Sequence, residues 1–330
     1  MTRRLGFFTR LLDDAPAGER YRLAAEQIEH AERLGFDSAW VAQHHFDGGE
    51  GGLPAPLVFL SHVAARTSRI RLGTGIITLP LEQPVRVAED TAVLDLLSGG
   101  RLEVGVGGGG TPTSFAAFGV DNARRAEVYA EHLAVLVDAW SGGDLGGGNR
   151  LYPAAPRLLE SVWEATFSVS GGERAGRAGN GLMLSRTQPR APGVSLAEVQ
   201  QPIVDAYHAN LPAGVPPRIV ASRTAFVADS REEALRHAEL GLSRAVAGWP
   251  VPDGGGVDQL VAAWDAHVGT PEEVVASLSA DPVLEHVTDL VFQVHSIDPP
   301  HPLILRSIEL LATEVAPALG WTPSTTLSRT

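Results

Sequence analysis

The sequence predicts an α/β fold of the (β/α)8, or TIM-barrel, type. Eight short apolar segments, rich in Val, Ile, Leu and Phe and bounded by Gly, Pro or Asp, read as buried parallel strands. An amphipathic helical stretch follows each of them, which is the alternation a barrel requires. The chain has 330 residues, 44% of them hydrophobic, enough for one large barrel domain over residues 1–330.

The expected strands are RLGFF (4–8), DSAWVA (37–42), IRLGTGI (70–76), RLEVGV (101–106), VWEATFSV (162–169), GLMLS (181–185), RIVASRTAFVA (218–228) and VTDLVFQV (287–294). The expected helices cover 19–34, 54–66, 84–97, 124–141, 172–179, 198–210, 230–244 and 302–316. Pro54 and Pro84 suit first-turn positions, and Gly35 suits a helix stop. Three long insertions, after strands 4, 6 and 7, fall near 142–161, 186–217 and 245–286. Loops of that length in a compact fold carry function or stay mobile.

Net charge is −13, with the acidic residues scattered, so a polyanion such as nucleic acid is repelled over most of the surface. The absence of cysteine removes disulfides, thiolate nucleophiles and Cys-based metal sites, and fits a cytoplasmic enzyme. Arg3-Arg4 followed by apolar residues has the start of a twin-arginine export signal. Arg10 and Asp13-Asp14 interrupt it too early, so 4–8 reads better as a first strand. Nowhere do 18 apolar residues run together, so no membrane span is expected.

Four short motifs invite chemistry. GVGGGG (105–110) matches G-x-G-x-x-G directly after a strand, but Thr111-Pro112 follows where a dinucleotide fold would start its helix. The acidic strand end expected about twenty residues later is also missing. What survives is close approach: glycines at a strand end let a flat or phosphorylated ligand reach the backbone. SVSGGERAG (168–176) places Ser168 and Ser170 at a strand end, then two glycines, then a helix with Arg174 in its first turn. That is either an anion site at a helix N-terminus or a plain serine-capped turn. VAQHHF (41–46) sets His44 and His45 at the C-terminal end of strand two, the face that carries active sites in barrels. Strand alternation would put Gln43 and His45 on one side and His44 on the other. No further ligands stand nearby for a metal, so each histidine is either a proton-transfer group or a hydrogen-bonded structural one. The same choice applies to His295 and His301, near the end of strand eight, where the structural role is the expected one. No G-x-S-x-G occurs.

The runs GFDSAWVAQHHF, ARTSRIRLGTGIITLPLEQPVRVAEDTAVLDLLSGGRLEVGVGGGG and SFAAFGVD resemble the bacterial luciferase-like flavin-dependent monooxygenases. The likeness spans roughly 1–185 and resumes at RTAFVAD and SIELLATEVAP. The resemblance implies a barrel that uses reduced FMN supplied by a separate flavin reductase. Oxygen would react through a C4a-hydroperoxyflavin to oxidise a small organic substrate. His44 falls on the family's proton-transfer histidine beside the flavin. Gln43 stands where the family has Glu. The family's non-prolyl cis peptide beneath the flavin would fall at Gly75–Ile76. Gly108, in the Gly108-Gly109-Gly110 run, replaces a phosphate-binding Arg, and the phosphate loop matches Ser168 through Gly172. Arg174 is then the expected replacement cation.

The insertion that begins at Arg186 is the expected substrate lid. A homodimer through the helices after strands two and three is also implied. The alternatives are an F420-dependent hydride-transfer enzyme on the same barrel, for which the region is short of positive charge, and a non-catalytic flavin-binding barrel.

Overall fold

The structure, a computed structural model, describes residues 3–245 and 256–321. The strands are β1 (Arg4–Thr9), β2 (Ser38–Val41), β3 (Arg71–Thr74), β4 (Ile77–Thr78), β5 (Leu102–Gly107), β6 (Val162–Ala165), β7 (Gly181–Leu184), β8 (Ile219–Val227), β9 (His267–Gly269) and β10 (Asp289–Gln293). The helices are α1 (Ala17–Arg33), α2 (Pro56–Ala64), α3 (Pro84–Leu97), α4 (Pro112–Ala117), α5 (Arg125–Trp140), α6 (Val169–Ala178), α7 (Leu196–Asn210), α8 (Arg231–Ala245), α9 (Val257–Ala263), α10 (Pro271–Ser279) and α11 (His301–Leu310).

All ladders are parallel, and the sheet closes on itself because β10 pairs with both β8 and β1. The register there runs from Arg4 opposite Asp289 to Phe8 opposite Gln293. The closed ring of eight parallel strands is the predicted barrel, with β4 continuing β3's path and β9 lying outside the ring beside β8.

Several boundaries differ from the sequence expectation for local physical reasons. The third strand breaks at a cis peptide between Gly75 and Ile76 and resumes as β4. Pro56, not Pro54, opens α2, while Pro84 opens α3 as expected and the Gln83 side chain caps it by accepting from Arg86 N. Gly35, at φ 92, ends α1. The sixth strand stops at Ala165, and Ser168 caps a helix that starts at Val169, three residues earlier than predicted. Arg174 therefore sits in the second turn of α6, not the first.

The expected insertions also change meaning. Residues 142–161 run from the end of α5 into β6, on the face opposite the loops that follow the strands. Nearly half of 186–217 is α7, packed along α6 as the ordinary crossover helix of its unit. Within 245–286, the described part forms α9, β9 and α10, and β9 extends the sheet beside Ala225–Val227; residues 246–255 lie outside the described residues.

The barrel interior is filled by Trp40, Trp163, Met183, Val220 and Val291, with Phe8, Ile76 and Ala165 partly covering them. The two indoles meet edge to face, 5.7 Å between centroids at 89°. Each needs a glycine on the adjacent strand. Trp40 is in register with Gly73, and Trp163 with Gly181. A Cβ at either glycine would lie 2.2 Å from the indole Cε3 beside it. Below the indoles, Trp163 Nε1 donates to Glu103, which also pairs with Arg71, and Arg4 pairs with Asp289 at 2.7 Å.

Gly73→Ala or Gly181→Ala should therefore overpack the barrel and cost about 1–3 kcal/mol. Urea unfolding measures it, and a change at an open glycine such as Gly18, where a Cβ meets nothing within 4 Å, is the control.

Candidate active site

One cavity of about 860 Å³ opens at the C-terminal ends of the strands, above the tryptophan layer. That size suits a cofactor with a small substrate. Its walls include Phe8, Arg10, Gln43, His44, His45, Gly75, Ile76, Gly107 through Thr111, Ser168, Arg174, Arg186, Ser222 and Gln293.

His44 and His45 both line it. The alternation expected from the sequence does not apply, because β2 ends at Val41 and the chain beyond it is irregular. His44 N donates to Leu53 O, and its Nδ1 lies 3.8 Å from Glu50 Oε2. Gly51 packs against the imidazole so closely that a Cβ there would be 2.5 Å from Cδ2. His45 sits edge-on to Phe118 at 4.8 Å, with its buried Nε2 unpartnered.

Burial first, then the charges of Arg10, His45 and Arg186, push the His44 pKa down to about 4. It is a neutral imidazole at pH 7, and an acid only well below that.

Gln43 is a clamp. Its Oε1 accepts from Thr78 N at 2.7 Å, while Nε2 donates to Glu82 Oε1 at 2.6 Å and to Pro54 O at 3.2 Å. The Thr78 amide fixes which end is oxygen, since it can only donate. The carboxylate that Gln43 lacks is thus present one contact away, on Glu82. A glutamate at 43 would set two carboxylates against each other.

In the glycine run, Gly107 and Gly109 are structural: a Cβ would meet Ile76 Cδ1 at 2.5 Å or Thr78 Cγ2 at 2.4 Å, and Gly109 has φ +66. Gly108 and Gly110 meet nothing within 4 Å and leave open space on the cavity wall. Ser168 faces the cavity, whereas Ser170, Gly171 and Gly172 stand behind it. Ser170 Oγ contacts Ser168 Oγ at 3.2 Å. A Cβ at Gly171 would strike Thr166 and one at Gly172 the Ile203 carbonyl, so these glycines let α6 approach its neighbours. Arg174 reaches the cavity with its Nε on Glu164 at 2.7 Å and its guanidinium over the Tyr129 ring.

Residues the sequence reading did not single out complete the walls. Arg10 and Arg125 add positive charge, and Ser222 and Gln293 present buried oxygens without partners. The period of two along β8 and β10 was the available signal for the last pair: Val220 and Ser222, like Val291 and Gln293, point inward together. Arg186, the expected start of a substrate lid, lines the cavity wall, and of the 186–217 stretch only Arg186 and Thr187 reach the cavity. His295 is buried near Asp13 and Gln27, behind the cavity.

A closed parallel barrel with a glycine-lined, histidine-bearing cavity at its C-terminal strand ends defines a TIM-barrel protein with its site on the face where such barrels carry them. The model of the luciferase-like monooxygenase family matches residues 4–281, and the chain belongs to that family. It is 33% identical over 226 residues to 4-hydroxyprotoasukamycin monooxygenase of Streptomyces nodosus subsp. asukaensis, covering 64% of this chain and 60% of that one. A crystal structure of a monooxygenase from Streptomyces bottropensis superposes with a TM-score of 0.81 at 27% identity, over 96% of this chain and 99% of the other. Two further structures share the fold at lower identity. The oxygenating constituent of 3,6-diketocamphane monooxygenase from Pseudomonas putida, in complex with FMN, has a TM-score of 0.76 at 18% identity, covering 96% and 99% of the two chains. An F420-dependent secondary alcohol dehydrogenase has 0.71 at 17%, covering 97% and 99%. The alignments with three curated relatives span 41%, 49% and 60% of those proteins' lengths.

Gln43→Glu should destabilise the protein by about 2 kcal/mol at pH 7 through carboxylate repulsion and the lost donor, with the deficit shrinking toward pH 4. Chemical denaturation at the two pH values measures it. Stability should also fall as pH drops from about 6.5 toward 4. His44, His267 and His295 all have folded pKa values lowered by burial to about 4, so the unfolded chain binds their protons first. Asp298, raised by burial to about 6, opposes this, since its folded form holds a proton that the unfolded one has released. With three groups against one, the melting temperature should decline across that window.

Proposed function

We propose that the protein is an FMN-dependent monooxygenase that uses reduced FMN and O2 to oxidise a small organic substrate. The observation that carries this reading is the cavity wall. It joins Gly75 and Ile76, the open Gly108 and Gly110, and the unpartnered Ser222 and Gln293 oxygens around the neutral imidazole of His44. A flat heterocycle with donors and acceptors on its edge, carrying a phosphate, fits that set. Reduced FMN supplies two electrons, so that one oxygen atom enters the substrate and the other leaves as water.

The chain's own groups divide the work. Ser168, Arg174 and Arg125 would hold the phosphate at the β5–β6 side of the mouth. Gly75, Ile76 and Gly107 through Gly110 shape the slot for the ring. His44, neutral at pH 7, accepts a proton at its free ring nitrogen or donates its N–H to developing negative charge. The apolar floor of Trp40, Val220 and Val291 keeps water from the reacting atoms. Phosphate recognition by Arg174 alone is a weaker device than the sequence suggested, because Glu164 already neutralises it; Arg125, paired with no carboxylate among the described residues, shares the load.

Among the described residues no helix is long and apolar enough to cross a membrane. Val58 on α2 and Val93, Leu96 and Leu97 on α3 are 73%, 46%, 64% and 67% exposed. These apolar side chains support a homodimer through the helices after β2 and β3. With FMN as cofactor, a separate reductase supplies it reduced.

His44→Ala should retain FMN binding and lose turnover by roughly a hundredfold or more. Full turnover would remove His44 from the chemistry. Arg174→Ala should weaken FMN about tenfold and also destabilise the fold, because buried Glu164 loses its cation. Anaerobic titration with reduced FMN against reduced F420 decides the cofactor: tighter binding of F420 would replace oxygen insertion with hydride transfer.

A further inference from the structure

The phosphate side of the cavity accounts for Ser168, Arg174 and Arg125, but not for two arginines elsewhere on its wall. Arg186, just beyond β7, is 6% exposed and donates to Thr224 Oγ1 at 3.3 Å. Arg10, just beyond β1, donates through Nη2 to the Glu50 carbonyl, and its buried Nε has no partner. Neither forms an ion pair with a carboxylate among the described residues. Arg223, equally buried, shows the ordinary solution: it pairs with Asp281 at 2.7 Å and donates to Gln200.

We propose that Arg10 and Arg186 form a subsite for an anionic substituent of the substrate, a carboxylate, held between two guanidinium groups. This rests on reading the cavity as a flavin monooxygenase's. Two like charges brought together in a buried wall, with no carboxylate ion-paired to either, are costly, and a bound anion lowers that cost. A guanidinium also matches a carboxylate's two oxygens in a planar fork. The surrounding charges leave room for one. Asp298 and Glu50 are the carboxylates acting on Arg10, and Asp298 also acts on Arg186. Asp298 has its own Oδ1 buried without a partner and a carboxyl pushed up to about 6. Asp13 is taken by Gln27 and lies beside His295 and His301.

Position separates this subsite from the phosphate. Arg10 follows β1, Arg186 turns to Thr224 on β8, and Asp298 follows β10, so the group occupies the β8–β10–β1 arc of the ring. Ser168 and the glycine run belong to the β5–β6 arc across the mouth. A substrate anchored on the first arc would present its far end to His44, at the end of neighbouring β2.

The test uses benzoate against neutral benzamide, titrated calorimetrically into the FMN-loaded full chain. Benzoate should bind roughly tenfold or more tightly than benzamide. Arg186→Gln should erase that preference while leaving FMN affinity, read by flavin fluorescence, within about twofold; Arg186→Lys should restore part of it. Should Arg186→Gln fail to fold, Arg10→Gln, nearer the surface, carries the same expectation. Equal binding of the two probes, or a benzoate preference that survives both Gln substitutions, overturns the proposal. Competition between benzoate and FMN also overturns it, by giving the arginines to the cofactor phosphate. A protein that prefers benzoate but does not bind FMN would keep the subsite and refute the flavin reading instead.

Discussion

Closing a ring of eight parallel strands leaves an interior that must be filled, and here two indoles do most of the filling. Trp40 and Trp163 meet edge to face across the barrel, each lying over a glycine of the adjacent strand. The cavity begins where this layer ends, since Trp40, Met183, Val220 and Val291 are both the top of the packed interior and the floor of the site. The depth of the pocket, its apolar base and its shielding from water all follow from that one packing arrangement. The polar groups below it, Glu103 on Trp163 and Arg4 with Asp289, tie the other end of the ring.

Above the floor, charge sets the chemistry. Arg10 and Arg186 lie close enough to His44 that they and burial together keep its imidazole neutral. In the proposed chemistry such a histidine would serve as proton acceptor or neutral hydrogen-bond donor rather than as a standing acid. An anion settling between the two arginines would ease that pressure, so the proposed substrate recognition and proton chemistry would share one electrostatic field. The Gln43 clamp belongs to the same economy of charge: its amide lets Glu82 sit close by, and the strand-two end is fixed to Thr78 without a second carboxylate.

Much of the fold was legible. Eight apolar runs gave the eight barrel strands to within a few residues, because a strand buried on both faces has few ways to hide its composition. Pro84 and Gly35 marked their helix ends correctly for backbone reasons. Less legible was where loops go. The long stretch 142–161 looked functional by length, yet it joins a helix to the next strand, whereas the short segment carrying α4 after β5 reaches the cavity through Ser114 and Phe115. Length alone does not say which end of a barrel a loop occupies. Gly171 and Gly172, which the sequence offers as part of a ligand loop, are contact points between packed elements, where a Cβ would strike Thr166 or the Ile203 carbonyl. A glycine serves close approach equally well to a phosphate or to a neighbouring carbonyl.

What the sequence determined by itself was periodic and local: strand and helix order, the parallel class of the sheet, and His44 at the C-terminal end of a strand. Those depend on residues within a few positions of one another. Tertiary structure alone decided that His44 and His45 face the same cavity, because the chain leaves the strand at Val41 and pleat alternation stops there. It alone brought Arg10, Arg186 and Asp298 together from three strand ends, since charges separated by more than a hundred residues meet only when β10 closes the ring onto β1.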